Sequence, residues 1–315
     1  MISAVSNTKT KVGNHVSFKG KASAWDLGYK KMLIEGIQDS FQFTPKIEDL
    51  NSIVGPSELK SLLMKFKKND FLTGLREFGK ITSPREFENI KNGNFRVNLH
   101  LHTNKSDGTM SPMEYLEMSK KYADKVARTN PDKSIPPYTS TTTDHNNIEA
   151  AKEIIAAIAE EPKKYKNFKF TTGCEFMFLD ENSPFKYKAF EAIGLGFNPF
   201  DAELNQKLSR MNSLDLISVA KKDGAIASYA HPYKALQGNG VEPEFVNYLK
   251  DNGIDAIEAN YQYLSFCNDK SIKSTIRQAH EVADSHNLFI TGGTDSHGKN
   301  IFFQRAQYII DDLLG

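Results

Sequence analysis

The chain has 315 residues, 39% of them hydrophobic, which is enough apolar material for a sizeable core and suits one large domain, alone or with a smaller companion. Lysine and arginine total 40 against 39 acidic residues, so a formal charge of +1 excludes a general polyanion-binding field, and nucleic acid would need a local site. The opening MISAVSNTKTKVGNH lacks the apolar centre of a signal peptide, and no later stretch approaches the ~18 apolar residues of a membrane span. With only two cysteines, Cys174 and Cys267, a disulfide scaffold is excluded as well, and a cytoplasmic protein is expected.

In chain order, residues 1–24 are rich in Ser, Thr, Lys, Asn and Gly and read as a mobile or loosely packed arm. Residues 25–93 read as a helical N-terminal extension without a chemical motif. Leu59, Leu62, Leu63 and Phe66 recur at helical spacing, with Ser57 as the cap after Pro56. Further helices are predicted through Phe71 to Phe78 and from Ser83-Pro84. Phe41, Phe43, Phe66 and Phe78 are expected to pack against the main domain. From residue 94 to 315 strands and helices alternate, the pattern of βα units and a parallel sheet.

The first unit of that region is NLHLHTNKSDG, Asn98 to Gly108. Side chains on a strand alternate faces, so His100 and His102 project to one side. The polar stretch after them ends in Asp-Gly, a turn that carries Asp107 back over the strand end. Ser111-Pro112-Met113-Glu114 then starts a helix, with an N-cap serine, proline at the first helical position and glutamate three residues after the cap.

Two histidines so spaced are a weak signal alone, but the pattern recurs. Thr143-Asp144-His145 follows YTSTTT, Gly173-Cys174-Glu175 follows FKFTT, Ala230-His231-Pro232 follows AIASY, and Thr294-Asp295-Ser296-His297 follows LFITGG. Each candidate ligand stands just past a strand-like run, where an α/β barrel gathers its active site. The helix after the second strand carries Ile148, Ala151, Ile154, Ile155 and Ile158 on one face and stops at Pro162. Residues 176–196 read as extended segments around the turn DENSP. Leu204 to Lys222 reads as helical, closed by Gly224, and three further strands follow at 225–229, 256–260 and 288–291, separated by helices around 244–250 and 270–286. Cys174 points away from Glu175 on its strand and reads as a core residue. His15, His280 and His286 lie away from strand ends and read as ordinary surface or packing residues.

Taken together, HLHTNKSDG, TTDH, GCE, AHP and GTDSH, in this order, resemble the PHP family, named for its polymerase and histidinol phosphatase members. The resemblance covers residues 94–315. It implies an α/β fold, a distorted (β/α)7 barrel, here behind a mainly helical N-terminal extension, with two or three divalent ions at the strand ends. By the same resemblance His100, His102, Glu175 and Asp295 hold one ion, and Glu175 bridges to a second that also uses His231. Asp107, His145 and His297 hold the third, and Glu175, Asp107 and His145 stand at the catalytic centre. A mixed imidazole and carboxylate set suits Mn, Zn or Fe better than Mg. Asp144 and Ser296 stand beside ligands, where they either orient an imidazole or cap a turn. Arg210 and Lys234 are candidates for the substrate phosphate.

One position departs from the family pattern: where relatives carry another histidine, this chain has Ile193, which cannot ligate. Glu191, two residues earlier on the same strand face, is either its substitute or a surface carboxylate, so a weakened second site is expected. The activity implied is that of a metal-dependent phosphoesterase, a phosphatase or 5′-to-3′ exonuclease, acting on a small phosphorylated substrate such as a nucleotide or short oligonucleotide, with no membrane partner. The alternatives are a histidinol-phosphate phosphatase and a PHP domain that holds metal as a structural or regulatory module without turnover.

Overall fold

In the computed structural model the described residues are 24–65, 97–129, 137–178, 184–185, 190–208, 213–233, 241–261 and 278–298. The arm before Ala24, the helices expected at 71–78 and from 83, Phe66, Phe78 and Cys267 lie outside them, as do Arg210 and Lys234.

Helix α1 (Ala24–Phe41) buries Tyr29, Leu33 and Ile37 in one cluster with Leu101, Ile154, Ile155, Ile158, Phe168 and Phe170. The expectation for Phe41 fails, because this residue at the helix end is 38% exposed, whereas Phe43 is partly buried against the same cluster. Helix α2 (Pro56–Lys65) places Leu59 and Leu63 in a second cluster with Leu99, Ile193, Leu195 and Ile226. Ser57 is not its cap. Pro56 already lies in the helix, and the Ser57 N–H donates to the Asp26 carboxylate of α1 at 3.1 Å, so a side chain distant in sequence satisfies that end.

Strands β1 (Val97–Asn98), β2 (Thr139–Ser140) and β3 (Lys169–Phe170) pair in parallel in that order. The segment before α2 lies against the far side of β3, with Phe170 donating to Ser52 and Val54 donating to Phe170. Between β1 and β2, α3 (Pro112–Thr129) begins as the sequence predicts, with reciprocal hydrogen bonds between Ser111 and Glu114. Between β2 and β3, α4 (Glu149–Glu160) buries Ala151, Ile154, Ile155 and Ile158; each isoleucine so placed stabilises the fold by about 1.5–3 kcal/mol.

A second sheet holds β4 (Gly173–Phe178), β5 (Phe190–Leu195), β6 (Ile226–Tyr229), β7 (Ala256–Asn260) and β8 (Phe289–Gly292) in sequence order. It is not purely parallel, as the alternation of elements suggested. β5 runs antiparallel to both β4 and β6, while β6, β7 and β8 are parallel. The link from β4 to β5 is shorter than the dozen or more residues that a parallel crossover needs. Helices α5 (Ala202–Leu208) and α6 (Ser213–Lys222) occupy the stretch expected to be helical, with residues 209–212 outside the described ones; Gly224, at φ +83°, follows α6 in a conformation that a side chain would strain. Helix α7 (Pro243–Asp251) joins β6 to β7, and α8 (residues 278–285) precedes β8.

Among the described residues the strands form two sheets and no single closed barrel, yet backbone pairing continues past the strand ends. Leu99 donates to Gly292, Asp295 to His100 and His102 to Ser296, at 2.9–3.0 Å, so the chain after β1 lies along the chain after β8. On the other side β3 runs on into β4, and Gly196 beyond β5 donates to Thr172. Mixed α/β layers therefore surround a shared rim at the strand ends, and the candidate ligands stand there.

Candidate metal centre

His100 and His102 follow β1 and are fully buried, with their Nε2 atoms 3.2 Å apart. Glu175, on β4, sets Oε2 3.1 Å from the first and 3.2 Å from the second. Asp295, after β8, sets Oδ1 at 3.4 and 3.2 Å from the same two nitrogens. Donors bound at about 2 Å around a tetrahedral centre stand roughly 3.3 Å apart, so each carboxylate oxygen stands at coordination-shell spacing from both imidazole nitrogens.

Two more groups share Glu175. Its Oε1 lies 3.0 Å from Nε2 of His231, after β6, and Glu191 Oε2 on β5 lies 3.2 Å from that same nitrogen. Ile193, directly opposite Glu175 in the β4–β5 register, is buried in an apolar cluster with Leu99, Leu195 and Ile226. Toward solvent, His102, Asp107, His145 and His297 bring one donor atom each to within 4.8 Å of one another. Here Asp107 lies 3.1 Å from His297 and 3.7 Å from His145, and His145 Nδ1 is 3.3 Å from Glu175. Glu175 thus touches four imidazoles carried by three separate segments.

The electrostatics follow from burial. Desolvation opposes charge on His100, but Glu175, Glu258 and Asp295 overcome it and hold the ring well above the ordinary imidazole range. His102 is brought to about 9 in the same way: burial disfavours the cation, and hydrogen bonds to Asp295 and Glu175 outweigh it. Glu175 and Asp295 are driven below the carboxylate range despite burial, chiefly by the charge of His100. Asp107 is lowered by His297, His102 and His145 against its own desolvation, whereas burial leaves His145 less basic than usual. The cluster therefore offers ionised carboxylates next to imidazoles whose protons a bound cation must displace.

The loop bearing Asp107 is pinned by Asp144. This carboxylate accepts from the Thr103 N–H at 2.7 Å, the Thr103 hydroxyl at 2.8 Å and the Ser106 hydroxyl at 2.8 Å. Of the two roles left open for Asp144, the structure gives it the turn. Ser296 likewise donates within its own turn, to the Gly298 carbonyl. Gly108 is required where it stands: a Cβ there would lie 2.5 Å from the His102 carbonyl oxygen.

Two residues escaped the sequence reading. Glu258, buried on β7, sets both carboxylate oxygens 3.1 Å from His100 Nδ1, and the Tyr261 hydroxyl donates to Asp295 Oδ2 at 2.6 Å. A lone carboxylate inside the apolar run AIEAN was the available signal for Glu258. Cys174 is buried in the core with its thiol pushed up by desolvation, and His280 bonds Asn260 away from the cluster.

No protein-family model and no curated protein matches the chain. Several solved structures are similar to it, two of which follow. A proposed metal-dependent phosphoesterase from Bifidobacterium adolescentis has a TM-score of 0.48 at 14% identity, over 64% of this chain and 88% of its own. An amidohydrolase from Chromobacterium violaceum, solved with bound sulfate and no metal, has a TM-score of 0.47 at 16% identity, over 66% of this chain and 89% of its own.

Proposed function

We propose that the chain is a metal-dependent phosphoesterase of the PHP type, hydrolysing a phosphate ester of a small substrate such as a nucleotide or short oligonucleotide. The observation that carries this reading is Glu175, a buried carboxylate within 3.3 Å of His100, His102, His145 and His231. Burying imidazoles and carboxylates so closely strips each of its hydration, a loss that their mutual pairing offsets in part and that cations bound among them offset further. The continued pairing between the chain after β1 and the chain after β8 supports a barrel whose rim holds the site.

Divalent ions such as Mn, Zn or Fe supply hydroxide near neutral pH and neutralise charge on phosphoryl oxygens. His100, His102, Glu175 and Asp295 would hold one ion, Glu175, His231 and Glu191 a second, and Asp107, His145 and His297 a third. The first two groups are buried apart from Glu191, 16% exposed, while the Asp107 and His297 side chains are 54% and 31% exposed, so substrate enters from the third. Asp107, held below the ordinary carboxylate range, stays ionised at the mouth, and His145, less basic than usual, keeps a free lone pair. Asp144 fixes the loop that presents Asp107. Arg210 and Lys234 are assigned to the substrate phosphate on sequence grounds.

The competing module without turnover rests on Ile193 and on the unassigned N-terminal segment, and Glu191 beside His231 offers a donor where Ile193 cannot. Release of phosphate from an aryl phosphate with added Mn separates the two. Alanine at Asp107, His145 or Asp295 should each reduce it by roughly a hundredfold or more. Near-wild-type turnover in all three variants rejects the phosphoesterase, and a panel of mononucleotides, short oligonucleotides and histidinol phosphate then ranks substrates.

A further inference from the structure

We propose that Glu258 is a positioning residue that sets two of the ligand groups at once, a role that rests on the metal-centre reading above. Its carboxylate has no exposure to solvent, and both oxygens lie 3.1 Å from His100 Nδ1. That contact keeps a proton on Nδ1 and turns the Nε2 lone pair toward Glu175 and Asp295. One of the same oxygens, Oε2, also accepts the backbone N–H of His231 at 3.0 Å.

The second contact matters because of where His231 sits in conformational space. Its φ of +22° lies at the edge of the left-handed region, which residues with a side chain seldom adopt. Such a conformation persists only where the surroundings over-determine it, and the hydrogen bond to Glu258 is one such restraint. His231 then meets Glu175 and Glu191 through Nε2. One carboxylate on β7 therefore orients the ring of His100 and the backbone of His231, which flank Glu175 and which the reading above assigns to different ions.

If Glu258 were only a satisfied core carboxylate, neutralising it would alter stability and leave cation binding alone. The discriminating variant is Glu258→Gln, which keeps the shape and loses the charge, with Ser228→Ala as control. Ser228 is buried on the adjacent strand with its hydroxyl 2.6 Å from that of Thr291, and it takes no part in the ligand groups. The assay is calorimetric titration of chelator-treated full-length protein with Mn and with Zn. Glu258→Gln should weaken binding about 10- to 100-fold at both buried positions together, and Ser228→Ala should leave it within about twofold.

Wild-type affinity in Glu258→Gln, or equal losses in the two variants, overturns the proposal while leaving the metal centre intact. A wild-type protein that binds neither metal overturns both. Should Glu258→Gln fail to fold, the zinc-loaded wild type labelled with 15N-histidine decides. A slowly exchanging, downfield His100 Nδ1–H supports the carboxylate contact, and its absence overturns it.

Discussion

Raising the pH of the chelator-treated protein probes the buried cluster most directly. His102 lies inside the fold, where burial alone would discharge it, yet Asp295 and Glu175 bring its ring to about 9. The free imidazole titrates near 6.5. A group more basic in the fold than in the unfolded chain stabilises the fold fully below about pH 6.5, and that contribution disappears as the pH rises through about 9. The interval corresponds to about 3 kcal/mol, or on the order of 6 °C in Tm for a chain of this length. His100 and His231, raised by Glu175 against their own burial, act in the same direction. Glu175 and Asp295 are lowered, so the stability they add is present above about pH 4 and is lost only as the pH falls through their folded values. The assay is thermal unfolding with chelator at about pH 6 and about pH 9.5, repeated with saturating Mn or Zn. Without metal, Tm should fall at the higher pH; with metal the loss should shrink or reverse, because imidazoles bind cations unprotonated. A chelated protein whose Tm is flat across that range refutes the charge pairing.

Two further outcomes follow from the geometry. Glu191→Gln should cost one tightly held ion, or weaken one by about tenfold, in Mn titrations, since Glu191 Oε2 stands 3.2 Å from His231; unchanged stoichiometry and affinity would return Glu191 to the surface. Asp144→Ala removes the acceptor for Thr103 and Ser106, so it should lower phosphate release about 10- to 100-fold while leaving the buried ions in place. Loss of every ion in that variant would show that Asp144 does more than hold the loop.

Much of the rim was legible because each ligand motif is local. A strand period of two sets His100 beside His102, and a turn after it returns Asp107 to them, whatever the rest of the chain does. The same holds for the Ser111 cap and for the isoleucine face of α4, where periodicity inside one element dictates burial. The reading failed where the outcome depends on residues elsewhere: Ser57 yields its capping role to Asp26, and Phe41 stays 38% exposed at the helix end.

By itself, then, the sequence determined the segments that carry the candidate ligands and the α/β alternation, since both follow from spacing within short stretches. Only the tertiary structure decided that β5 runs antiparallel, that Glu191 rather than Ile193 meets His231, and that Glu258 and Tyr261 on one stretch grip His100 and Asp295. Those pairings join residues far apart in the chain. Packing of whole strands sets their distances, and no pattern within a single segment encodes it.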